Sequence, residues 1–160
     1  GTVRNYIELM TNSYLLFTVS KYDFSVKKQI QNPKKVYFID NGLVKRLGFN
    51  FTESKGHLFE NLIYLELKRR NYEIFYNRGK KECDFVIRTG LSVDTAIQVC
   101  FSFDSPQTKK RETEGLIEAM DQYNLNEGWI ITADYQEDIT VKEKRIHVLP
   151  GWKWLFGKEA

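Results

Sequence analysis

Between Gly56 and Thr132 the apolar residues change their period from helical to alternating and back, and few folds accept that order. Leu58, Phe59, Leu62, Ile63, Leu65 and Leu67 form a broad helical stripe across Gly56–Arg70, with the acid Glu60 inside it. Three strand-like runs follow: Tyr72–Asn77, Glu82–Arg88 and Asp94–Ser102. The first two are joined by the basic turn Arg78-Gly79-Lys80-Lys81. Ser105-Pro106 is a helix start, with the serine as cap and proline in the first helical position. Leu116, Ala119, Met120 and Tyr123 continue that helix over about 107–123. Gly128–Thr132 and Arg145–Leu149 read as short buried strands, and Gly151–Phe156 as a last helix. The unit from about Thr52 is therefore α-β-β-β-α-β, an α/β core with helices on both faces of a mixed sheet.

Upstream, Val3, Tyr6, Ile7, Met10 and Tyr14 predict a helix over 3–14. Strand-like segments at Leu15–Val19, Lys21–Phe24 and Val36–Ile39 follow, with a polar loop at Lys27–Lys35 and a turn at Asp40-Asn41-Gly42. Helix, strand, basic loop and strand is the order of the second half of a winged helix. Two units are expected, residues 1–50 and 51–160. The opening at Gly1-Thr2-Val3 runs straight into helix, as in a piece of a longer protein. No apolar run approaches the ~18–20 residues a membrane span needs, and the first stretch is unlike a signal peptide. Cys83 and Cys100 lack zinc-site spacing and read as two buried thiols in a reducing cytoplasm.

Net charge is +3, and its distribution says more than its size. Lys21, Lys27, Lys28, Lys34 and Lys35 share a stretch whose one acid is Asp23, and Lys68–Arg70, Arg78–Lys81 and Lys109–Arg111 are further clusters. A charge run is most often a solvated face; four together suit a polyanion, DNA or RNA. The residues expected to touch it are Lys27, Lys28, Lys34, Lys35, Lys109 and Lys110.

Burying an ionised carboxylate without a partner is expensive, so acids inside apolar runs demand an explanation. Glu60 is one; Asp84, between Cys83 and Phe85, is another. Gln98 lies in the third strand between Ile97 and Val99, and adjacent strands can aim Asp84, Gln98 and the Val99 carbonyl at one spot. A hard cation such as Mg²⁺ takes such oxygen ligands. The alternative is structural: Asp84 paired with Arg88 or the 78–81 turn, and Glu60 bonded to a strand end.

Asp84 and Gln98-Val99-Cys100, preceded by helical Glu60, resemble the PD-(D/E)XK nuclease superfamily, with its restriction-endonuclease-like core. More narrowly, YFIDNGL (37–43), HLFENLIYLELKRR (57–70), ECDFVI (82–87) and AIQVC (96–100) look like a domain of unknown function that follows the AAA-type ATPase module of certain prokaryotic proteins. TVRNYIELMTNSYLL (2–16) resembles the end of the winged helix between the two. The resemblance implies that Glu60, Asp84 and Gln98 hold one Mg²⁺, which activates a water and stabilises the phosphoryl transition state. It also implies a lysine two positions after Gln98, where this chain has Cys100. A thiol does not replace an ammonium, and losing such a stabiliser costs ~10²–10³ in rate. The expectation is a nuclease-fold domain without cleavage, a nucleic-acid-binding or regulatory appendage to the ATPase. The alternatives are an active Mg²⁺ endonuclease whose cation has moved to Lys109 or Arg111, against the reading of those residues as a solvated helix start, and a protein-interaction module with no nucleic-acid role. No G-x-x-x-x-G-K-[ST] occurs, so ATP belongs to an upstream domain of the parent chain, which is the expected partner.

Overall fold

The apolar stripe after Gly56 becomes α4 (Lys55–Arg69), which buries Ile63, Tyr64 and Leu67 against a six-stranded sheet. A computed structural model describes residues 1–46 and 55–157. The expected boundary between residues 50 and 51 lies outside the described residues. The three strands after α4 are β3 (Glu73–Arg78), β4 (Glu82–Thr89) and β5 (Ser92–Cys100), consecutive antiparallel neighbours. The capped helix is α5 (Pro106–Tyr123); the Ser105 side chain accepts from Thr108 N at 3.1 Å. It returns the chain to β6 (Glu127–Thr132), which lies parallel to β5. A long crossover element is what parallel pairing demands.

Two strands complete the sheet, β7 (Glu137–Val141) and β8 (Lys144–Pro150), followed by α6 (Gly151–Phe156). The strand order is β3-β4-β5-β6-β8-β7, with β6 and β8 parallel and β7 and β8 antiparallel. The sheet is therefore mixed, as the periodicity implies. β7 is absent from the sequence reading because it is an edge strand with no buried residue. Its hairpin turns on Lys142 and Glu143, both with positive φ, in place of the Asn-Gly that would announce it.

Each face of the sheet has its own core. Cys83, Val86, Ala96, Cys100 and Ile130 pack with Leu116, Ala119 and Met120 of α5; Phe85, Ile87, Ile97 and Ile131 pack with α4 and Trp154 of α6. Cys83 and Phe85 are two residues apart yet join different cores. Alternation fails there, beside the register shift between Phe75 and Asn77.

The N-terminal third differs in detail from expectation. Its elements are α1 (Thr2–Asn12), β1 (Leu16–Ser20), α2 (Val26–Gln31), β2 (Lys34–Phe38) and α3 (Asn41–Arg46). A short helix occupies most of the expected 27–35 loop. The 21–24 segment contributes a single bridge, Lys21 to Tyr76. Asp40 caps α3, accepting from Leu43 N at 2.7 Å, so the local Asx chemistry read as a turn starts a helix. β1 and β2 form a separate antiparallel pair, yet Val19 and Tyr37 share the core of Ile63, Tyr64 and Leu67. Trp152 is exposed and Trp154 is buried. Among the described residues no helix is long and apolar enough to cross a membrane.

Candidate functional site

Strand alternation puts Lys35 and Tyr37 of β2 on one face, and both reach the acid in the α4 stripe. Tyr37 stacks on Tyr64, ring centroids 4.2 Å apart, and its hydroxyl donates to Glu60 Oε1 at 2.7 Å. Lys35 Nζ lies 3.1 Å from the same oxygen, 2.8 Å from Glu82 Oε1 and 2.9 Å from Asp84 Oδ1. Three carboxylates from α4 and β4 therefore meet on one ammonium supplied by the N-terminal pair of strands. The other Asp84 oxygen accepts from Val99 N at 3.0 Å.

The electrostatics follow from this crowding. Burial, then the charge of Glu60, pushes the Asp84 carboxyl up to about 7, with Lys35 opposing the shift. Burial works against the charged form of Lys35, but Asp84 and Glu60 outweigh it and hold the ammonium well above its usual range. Tyr37 is held neutral by burial and by the same Glu60.

Asp84 and Glu60 thus meet on Lys35, and their partner is neither Arg88, which pairs with Glu73, nor the 78–81 turn. Gln98 is turned differently. Its carbonyl accepts from Asp84 N at 3.2 Å and its amide donates to Glu112 Oε2 of α5 at 2.6 Å. Gln98 lines the same cleft of about 460 Å³ as Glu60, Glu82 and Asp84, while its amide is directed to α5 rather than to the ammonium. Cys100 is buried and donates its thiol to Ser102 O at 3.1 Å. Burial, then Glu112, pushes that thiol up to about 11, so it carries no thiolate at neutral pH.

The expected replacement cations lie elsewhere. Lys109 donates to Tyr135 Oη at 2.6 Å and sits 4.0 Å over that ring, near Glu137. The aromatic partner and the acid hold it away from the cluster. Arg111 borders the cleft but pairs through Nε with Glu112 Oε1 at 2.9 Å. Lys27, Lys28, Lys34 and Lys110 are exposed, as a polyanion contact requires. Lys35 and Lys109, expected among them, are both half-buried: three carboxylates draw Lys35 inward, and Tyr135 holds Lys109.

A magnesium ion needs oxygen ligands at about 2.0–2.1 Å in near-octahedral order. Among the described residues no three His, Cys, Asp or Glu side chains are so arranged, and Lys35 Nζ occupies the point that three carboxylates share. The residues as placed do not fit the metal centre that the sequence resemblance implies.

Tyr37, Glu82 and Glu112 escaped the sequence reading, and Lys35 was expected on a polyanion rather than among these acids; Glu112 alone left a signal. Glu112 precedes Leu116 by four positions and is buried in the α5 stripe, the same anomaly that marks Glu60. Lys35 left none, since a lysine in a polar stretch reads as solvated.

A mixed α/β domain with an internally ion-paired acidic cleft is the class these features define. Residues 1–54 match the family model described as Domain of unknown function (DUF8612). An uncharacterized protein of Methanocaldococcus jannaschii is 35% identical over 166 residues, covering 95% of this chain and 35% of that protein. An uncharacterized protein of Haemophilus influenzae is 26% identical over 156 residues, covering 94% of this chain and 36% of that protein. The chain spans about a third of the length of these curated relatives.

Proposed function

We propose that this chain is a nuclease-like domain, related to the PD-(D/E)XK fold, that does not cleave and serves as a nucleic-acid-binding or regulatory module of a longer ATPase-containing protein. The observation that carries this reading is the saturation of Lys35. An ammonium has three N–H donors, and three carboxylates stand within reach of it. The cation nearest Asp84 is committed to ground-state charge balance and has no donor to spare for a water or a phosphate. Cys100 adds none, Lys109 is held by Tyr135, and Arg111 by Glu112. The mixed sheet with α4 and α5 on opposite faces supports the fold comparison, and relatives nearly three times as long suit a module.

Cleavage of single- and double-stranded DNA and of RNA, with Mg²⁺ and with Mn²⁺, tests the reading. No product is expected above the no-protein control. Cleavage by the wild type that disappears in Asp84→Ala overturns it and favours the active endonuclease. Binding should persist and weaken with salt, because phosphate contacts release counterions. Replacing Lys27, Lys28 and Lys34 together by alanine should lower the slope of log K on log salt by about 2–3. Binding indifferent to salt would instead support a protein-interaction module.

A further inference from the structure

Lys35 and its acids come from different parts of the chain. β2 belongs to the two-stranded N-terminal sheet, while Glu60 is on α4 and Glu82 and Asp84 are on β4 of the main sheet. The lysine side chain is 20% exposed and the Asp84 side chain 10%, so the contact is largely withdrawn from water. Three carboxylates against one ammonium leave a surplus of negative charge, eased by the Tyr37 hydroxyl on Glu60 and the Val99 amide on Asp84. Without Lys35, three acids would face one another in a poorly solvated cleft, a costly arrangement.

We propose that Lys35 is the resident cation of this site, a tethered ammonium that takes the place of a divalent ion and keeps one out. The inference rests on the nuclease-like reading of the cleft. Its physical basis is competition for a single point. Carboxylate oxygens 2.8–3.1 Å from a nitrogen surround a centre that a metal ion would have to occupy itself. A side chain folded onto that centre competes intramolecularly, at an effective concentration of mM or more. Free Mg²⁺ must also shed part of a tightly held water shell. The ammonium therefore wins as long as β2 is docked, and its removal leaves Glu60, Glu82 and Asp84 facing a centre without a charge. A divalent cation is the ligand class that such a set of hard oxygen donors would take.

The test compares the wild type, Lys35→Met and the double variant Lys35→Met/Asp84→Asn by calorimetric titration with Mn²⁺ and with Mg²⁺, and by thermal melting in EDTA and in Mn²⁺. The wild type is expected to give no saturable heat and the same Tm in both media. Lys35→Met is expected to melt lower in EDTA, to regain stability in Mn²⁺ and to bind about one ion, and the double variant to lose both responses. If Lys35→Met does not fold in EDTA, Lys35→Gln, which keeps a neutral donor beside Glu60 and Asp84, carries the same comparison. Saturable Mn²⁺ binding by the wild type equal to that of the lysine variants overturns the proposal. So do folded lysine variants that take up no Mn²⁺. Failure of cation uptake leaves the absence of cleavage standing, whereas cleavage by the wild type removes the functional reading itself.

Discussion

Asp84 pays for its position between Cys83 and Phe85: burial and the neighbouring Glu60 raise its carboxyl to about 7. A raised acid pKa means that the folded state binds the proton more tightly than the unfolded chain. The associated stability is complete below the unfolded value of roughly 4 and is lost as pH rises through about 7. Lys35, raised as well, contributes stability that is present below the ordinary lysine value and is lost above it, outside that window. Asp84→Asn removes the first term and leaves the rest of the acid titration. Denaturant unfolding of both proteins between pH 4.5 and 7.5 should therefore show the wild type losing a few kcal/mol relative to the variant as pH rises. Parallel profiles would mean that Asp84 titrates normally. At this scale the sequence carried a usable signal wherever a charge interrupts an apolar stripe. That rule found Glu60 and Asp84, and applied to α5 it also marks Glu112. It is blind to Lys35, which ends a polar stretch and whose partners are 25 or more residues away.

At the scale of elements, the approach of α5 to β4 sets where Glu82 stands. A Cβ added to Gly115 would lie 2.6 Å from the Glu82 carbonyl oxygen, a backbone atom that cannot swing aside. Glycine at this point lets the helix sit close to the strand that carries two of the three carboxylates. Gly115→Ala should cost about 1–3 kcal/mol, against the gain of several tenths that alanine brings to an exposed helix interior. Equal or greater stability in chemical denaturation would show that α5 has room to shift. Most elements were legible, α1, β1, β2, α4, β3 to β6, α5, β8 and α6, through periodicity or explicit punctuation such as Ser105-Pro106. The ones that were not, α2, α3 and β7, are short and lack both. α2 buries no residue and spans six positions, so its pattern cannot be told from a polar loop. β7 announces neither a buried face nor a conventional turn.

At the scale of the molecule, the outer pair of strands is tied to the main sheet through several direct contacts. The Asn61 side chain on α4 acts as a short neighbouring strand to β2: its oxygen accepts from Phe38 N at 2.8 Å and its amide donates to Phe38 O at 3.0 Å. Tyr76 Oη of β3 donates to Pro33 O at 2.7 Å, and Tyr22 N donates to Tyr76 O at 2.9 Å. With the Lys35 cluster and the shared core of Val19, Tyr37, Ile63, Tyr64 and Leu67, these contacts make the outer sheet a dependent of the main one. An isolated two-stranded pair is marginal in water, so β1 and β2 draw their order from this docking. Asn61→Ala removes both of its hydrogen bonds to the Phe38 backbone in a half-buried place, a loss of about 1–3 kcal/mol. Hydrogen exchange should then speed up across Leu16–Ser20 and Lys34–Phe38 while β4 and β5 keep their protection, because local opening follows the weakest attachment. Uniform acceleration over both sheets would mean that the chain opens only as one unit. Unchanged exchange in β1 and β2 would mean that Lys35, Tyr37 and the shared core hold the outer sheet without help from Asn61.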